Sequence, residues 1–126
     1  MKTIAAEKNF EGKVKAFLKD QKCWTLKTWS NGIQRSGVPD LLICCNGYFI
    51  GAELKAPKGV PSDLQIYNLF KIEESGGIAV LLYPKDFENF KALIIALNSG
   101  DLDEGKRICE FFHGQLHIYN LDAELS

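Results

Sequence analysis

The chain lacks most features that would place it outside the ordinary class of small globular proteins. No apolar run approaches the eighteen or so residues that a bilayer span requires, so no membrane association is expected. Residues 1–8 carry no long apolar stretch of the signal-peptide kind. Cys23, Cys44, Cys45 and Cys109 form no Cys-x-x-Cys pair and no zinc-site spacing. Reduced, buried thiols in a cytoplasmic protein are therefore expected. There is no internal repeat, low-complexity tract or linker. The 126 residues read as one domain, 1–126, with a core of about 5–98 and a C-terminal extension of about 99–126. That length can bury a core without disulfides or a structural metal. A net charge of −1 selects no partner. Its distribution is uneven, with residues 1–60 holding ten Lys/Arg against five Asp/Glu and residues 61–126 five against eleven. The basic half is either a phosphate-facing surface or the solvated face of a helix carrying Lys8, Lys13, Lys15, Lys19 and Lys22.

Helical spacing of Phe10, Val14, Phe17 and Leu18 predicts an amphipathic helix over 5–21. Cys23 to Trp29 alternates and is rich in strand-forming residues, which predicts a strand. Ser62-Asp63-Leu64-Gln65 has the form of a capping box, opening a helix to about Ser75 with Gly76-Gly77 as its stop. The unbroken run Ile78 to Tyr83 suits a strand covered on both faces. Pro84-Lys85-Asp86 opens a further helix to Asn98, in which Leu93 to Leu97 reads as core. Beyond Gly100, a short helix over 101–109 and an edge strand over 114–120 are expected. On such a strand His113 and His117 would lie about 13 Å apart, too far to share one ion. Trp24, Trp29, Tyr67 and Phe70 read as core aromatics.

The most informative stretch is Ser36 to Lys55. Asn46-Gly47 is a strong type I′ hairpin signal, because that turn requires positive φ at both central residues. A turn there pairs Cys45 with Tyr48 and, by register, sets Asp40 across from Glu53. Lys55 then points to the same face, with Leu41, Ile43, Ile50, Ala52 and Leu54 on the other. Facing carboxylates repel at the roughly 5 Å that separates cross-strand Cβ atoms, so the arrangement suggests a bound cation. A hard ion such as Mg²⁺, with Mn²⁺ as a substitute, would take Asp40, Glu53 and the backbone carbonyl of Leu54 as ligands. Lys55 would orient or deprotonate an attacking water. Arg35 and Ser36, on a loop entering this site, would clamp a phosphate.

Gly37-x-Pro39-Asp40, Glu53-x-Lys55 and the downstream Ser62-x-x-Gln65 resemble the PD-(D/E)XK nuclease superfamily, and within it the VRR-NUC group of viruses and bacteria. The resemblance covers about residues 7–83. It implies an α/β, restriction-endonuclease-like αβββαβ core, a mixed sheet flanked by helices. It also implies a Mg²⁺-dependent endodeoxyribonuclease with Asp40 and Glu53 as metal ligands and Lys55 acting on water. Glu11 matches the acidic residue such nucleases carry on the first helix, Gln65 would assist the site, and Lys58 corresponds to a basic DNA-contacting residue. Stand-alone members resemble Holliday junction resolvases, which implies branched DNA as the partner, a homodimer, and a bacterial or virus-infected host cytoplasm. The alternatives are a flap- or duplex-cutting restriction-like nuclease and a non-catalytic DNA-binding module.

Overall fold

The structure, a computed structural model, describes residues 2–29 and 37–119, with side chains from residue 5. Helix α1 (Lys2–Asp20) leads into strand β1 (Trp24–Lys27), followed by β2 (Leu41–Cys45) and β3 (Tyr48–Leu54). Helix α2 (Asp63–Glu74) crosses over to β4 (Ile78–Leu82), after which a 3₁₀ turn (Pro84–Asp86) opens α3 (Phe87–Ser99), and α4 (Leu102–His117) follows. The sheet order is β1-β2-β3-β4. The first three strands are antiparallel, while β3 and β4 are parallel, as a helical crossover requires. The fold is therefore α/β, a four-stranded mixed sheet flanked by helices, and its order through Leu82 is the α-β-β-β-α-β read from the sequence. Among the described residues, no helix is long and apolar enough to cross a membrane.

The hairpin turns where Asn46-Gly47 dictates, with φ of 50° and 88°. Its register pairs Cys45 with Tyr48 and Leu41 with Ala52. Leu41, Ile43, Cys45, Ile50, Ala52 and Leu54 are consequently buried together against Phe10, Val14 and Leu18 of α1 and Phe90, Leu93 and Ile94 of α3. On the opposite face, Ile66 and Leu69 of α2 pack with Ala79 and Leu81 of β4. Helix α2 approaches β3 closely at Gly51, where a Cβ would lie 2.5 Å from the Ile72 side chain. The second face is bare over β1, and Trp24 and Leu26 stand exposed there. The alternation in β1 thus has the opposite sense to a simple apolar-in reading: Thr25 and Lys27 turn inward.

Several sequence expectations are corrected. No strand follows Gly114 among the described residues, because residues 102–117 form one helix. The pattern Gln-Leu-His-Ile-Tyr fits both periods, but Gly105, Ile108, Phe112 and Leu116 share one helical stripe. Burying three large side chains at about 1.5–3 kcal/mol each favours the 3.6-residue period over an edge pairing. The helix then covers the open edge of β4, where Gln115 Nε2 donates to the Leu81 carbonyl at 2.9 Å. Trp24 and Trp29 are exposed rather than core, since α2 covers only part of its sheet face, and Tyr67 is exposed on α2 away from the buried Ile66 and Leu69; Phe70 is partly buried. Within 93–97, Ile95 is exposed on the outer side of α3. Cys44 is exposed, Cys45 buried, and Cys23 and Cys109 lie between; all four are free thiols.

Candidate functional site

Backbone constraints deliver Asp40 to the end of β2. Gly37 adopts φ +79°, and a Cβ there would come within 2.9 Å of the Leu64 backbone, so the chain passes α2 only as glycine. Thr28 then holds the segment from β1. Its hydroxyl donates to the Pro39 carbonyl at 2.7 Å and its amide to the Asp40 carbonyl at 2.9 Å. Continuation of the hairpin register sets Asp40 beside Glu53 near the end of β3. Asp40 Oδ2 accepts the Leu54 amide at 2.9 Å. A strand residue aims its N–H and C=O at the same neighbour, so the Leu54 carbonyl faces the Asp40 side as well.

Glu53 is the unusual residue here: it is only 2% exposed. Its Oε2 accepts Gln65 Nε2 at 2.9 Å and lies 3.6 Å from Lys55 Nζ, which is itself largely buried. Its Oε1 is buried and receives no hydrogen bond from another residue, and the protonated Glu53 carboxyl is within hydrogen-bonding reach of Asp40. Burial first, and the facing Asp40 charge second, push the Glu53 carboxyl up to about 8, with Lys55 opposing. A buried acid with one empty oxygen, held against a second acid, is costly for a purely structural protein. Gln65 is fixed at both ends of its amide. Its Oε1 accepts the Ser62 amide at 2.8 Å, completing the capping box of α2, while Nε2 reaches Glu53. The capping and site roles are thus one arrangement.

Lys27 is the site residue that sequence reasoning missed. It projects from β1 to 2.8 Å from Glu11 Oε1 and 3.8 Å from Asp40 Oδ1. Burial alone would lower its pKa, but the hydrogen bond to Glu11 and the charges of Asp40, Glu11 and Glu53 outweigh that and raise it. The available signal was a lysine at the same parity of β1 as Thr25, a parity that pairs with buried Leu41 and Ile43 of β2. Glu11, also 3.6 Å from Lys15, is engaged by lysines. Among the described residues, Glu11, Asp40 and Glu53 do not bring three ligand atoms within 4.8 Å of one another. Glu7 of α1 reaches the same neighbourhood, its Oε1 accepting the Ala56 amide at 3.3 Å.

A cleft of about 600 Å³ lies between α1 and the start of α2, walled by Glu11, Lys27, Asp40, Leu54, Gln65 and Trp29, with Glu53 and Lys55 behind this wall rather than in it. A second groove shares Lys15 and Lys27 with it and adds Lys19, Lys22 and exposed Trp24. Lys58 is exposed in the turn after β3 and is not part of the cleft wall. Arg35 and Ser36 lie outside the described residues. A hollow of similar size, about 590 Å³ between Phe49 and Ile72, has a mainly apolar wall with Lys71 as its one charged residue. Of these two hollows, the first is the one lined by both acidic and basic side chains. Comparisons with family models, with curated proteins and with solved structures found no match.

Proposed function

We propose that the cleft is the active site of a metal-dependent DNA endonuclease of the restriction-endonuclease-like kind, hydrolysing phosphodiester bonds. The observation that carries this reading is the buried Glu53 carboxyl, set beside Asp40 with Oε1 unpartnered and Lys55 Nζ at 3.6 Å from Oε2. A surface ion pair contributes about 0–1 kcal/mol and calls for neither two facing acids nor a buried one. The donor set is all oxygen and suits a hard cation: Asp40, Glu53 and the Leu54 carbonyl would hold Mg²⁺, or Mn²⁺ in its place. When bound, such an ion supplies charge neutralisation at the phosphoryl group and a more acidic water. Glu11 would join the shell only by exchanging its contact with Lys27.

The remaining work falls to the chain's own groups. Lys55, held by Glu53, orients the attacking water and stabilises the charge that builds on the phosphoryl oxygens. Gln65 keeps Glu53 in place by its hydrogen bond while it caps α2. Lys27 presents a second cation to a phosphate entering from the α1 side. The groove carrying Lys15, Lys19 and Lys22 gives a phosphate backbone a path to the cleft. Exposed Trp24 and Trp29 along this path favour DNA with unstacked bases, as at junctions and flaps, over continuous duplex. A four-way junction cut by a homodimer is the form of substrate this reading puts first.

The test is incubation of the full chain with a synthetic four-way junction, a flap and a linear duplex, with and without Mg²⁺, beside Glu53→Gln. Mg²⁺-dependent cutting that Glu53→Gln abolishes is the expected result. Cutting unaffected by Glu53→Gln overturns the assignment. Tight binding with no cutting by any metal identifies a DNA-binding module instead.

A further inference from the structure

The single-helix form of residues 102–117 places His113 and His117 one turn apart, on the same side of α4. Their rings stack with centroids 3.9 Å apart. Both face Glu73 near the end of α2, with His113 Nδ1 at 3.1 Å from Oε2 and His117 Nε2 at 2.8 Å from Oε1. The 13 Å separation expected of a strand is thereby corrected, and the three ligand atoms lie within 4.8 Å of one another. Among the described residues, Glu73 pairs with no lysine or arginine.

We infer that Glu73, His113 and His117 form a binding site for a divalent transition-metal ion of the zinc type, distinct from the carboxylate cleft. Donors on a tetrahedral zinc ion with bonds of about 2.0–2.1 Å lie about 3.3 Å apart, and the two imidazole–carboxylate contacts, at 3.1 and 2.8 Å to different oxygens of Glu73, are close to that spacing. Two imidazoles and one carboxylate are the softer, nitrogen-rich donor set that favours zinc, copper or nickel over magnesium. Two helices supply the donors, and the Phe70 ring, 4.7 Å from that of His117, backs one of them. His113 is more than half exposed, which leaves the outer side of the site open to water as a fourth ligand. A small hollow beside it is lined by Glu73, His113 and Cys109, one helical turn earlier. An ion here would tie the C-terminal helix to α2.

The probe is Zn²⁺, titrated calorimetrically into full-length protein freed of metal with a chelator, alongside thermal melts. The Asp40→Asn/Glu53→Gln double variant removes the competing oxygen site, so the result does not depend on the nuclease reading. One equivalent of Zn²⁺ should bind to wild type and to that double variant, and should raise Tm by several degrees in both. His113→Ala and His117→Ala should each weaken binding by at least about a hundredfold, more than outer ligands usually contribute, and should abolish the Tm shift. His113 is exposed, so its variant reports on the site even where His117→Ala disturbs packing against Phe70. Absence of Zn²⁺ binding by wild type overturns the inference. So does Zn²⁺ binding that persists in His113→Ala and disappears in the Asp40→Asn/Glu53→Gln variant.

Discussion

Helix α2 carries Gln65 in its first turn and Glu73 in its last, about 12 Å apart at 1.5 Å per residue. The two clusters at these ends treat a carboxylate in opposite ways. Around Gln65, Glu53 is buried on a strand, faced by Asp40 and left with an unpartnered oxygen. Around Glu73, the carboxylate is on a helix, its side chain 20% exposed, and both its oxygens meet imidazoles. The first environment raises the cost of the charged acid, and in the proposed reading a hard cation would offset that cost; the second satisfies the acid and offers softer nitrogen donors. What distinguishes them is the backbone beneath: a sheet register forces like charges together, whereas a helix turn lines up histidines.

The largest expected effect is on the strand-borne cluster. Asp40→Ala and Glu53→Gln should each reduce Mg²⁺-dependent cutting by on the order of a thousandfold or more, and Lys55→Ala by about 10²–10⁴, in single-turnover assays on a branched substrate. The same changes should leave Zn²⁺ binding at Glu73 untouched, and a parallel loss of both activities would mean the clusters are not independent.

Stability against pH comes next. Glu53 is raised from 4.5 to about 8 in the folded chain, so between those pH values the folded state keeps a proton that the unfolded state has released. Stability must therefore fall as pH rises through that window, by an amount on the order of a few kcal/mol. Glu53→Gln should flatten the fall and be more stable than wild type near pH 8.5. Urea midpoints at pH 5 and 8.5 in chelator decide it: a variant that unfolds at lower urea than wild type at pH 8.5 contradicts the burial account.

Smaller changes probe how the cluster is held. Gln65→Ala removes one half of the capping box and the donor to Glu53, and should cost about 1–2 kcal/mol in chemical denaturation. Lys27→Met should cost under about 1 kcal/mol, since its ion pairs are partly exposed. It should still weaken DNA binding and flatten its salt dependence. An unchanged salt slope would place Lys27 outside the DNA path.

The local signals were legible because short-range chemistry sets them. Asn46-Gly47 specifies the turn through backbone φ, and the turn alone aligns Asp40 with Glu53. Ser62 and Gln65 cap α2 within four residues of each other. Phe10, Val14 and Leu18 declare the buried side of α1 by their spacing. By contrast, α4 was unreadable as one helix because Gly114 and an alternating pattern mimic a strand end. Only the uncovered edge of β4 and the apolar surface beneath it select the helical period.

What the amino-acid order determined by itself is thus the set of features decided within a few residues: the hairpin, its register, the helix caps, and hence the opposed acids. Only tertiary packing decided the rest. Lys27 reaches Glu11 and Asp40 because β1 pairs with β2 and α1 packs across them. Glu73 meets His113 and His117 because α4 closes the sheet edge beside α2. These contacts join residues 13–44 positions apart, and no local propensity encodes them. They form once burial of the two apolar clusters offsets the entropy of closing the chain between them.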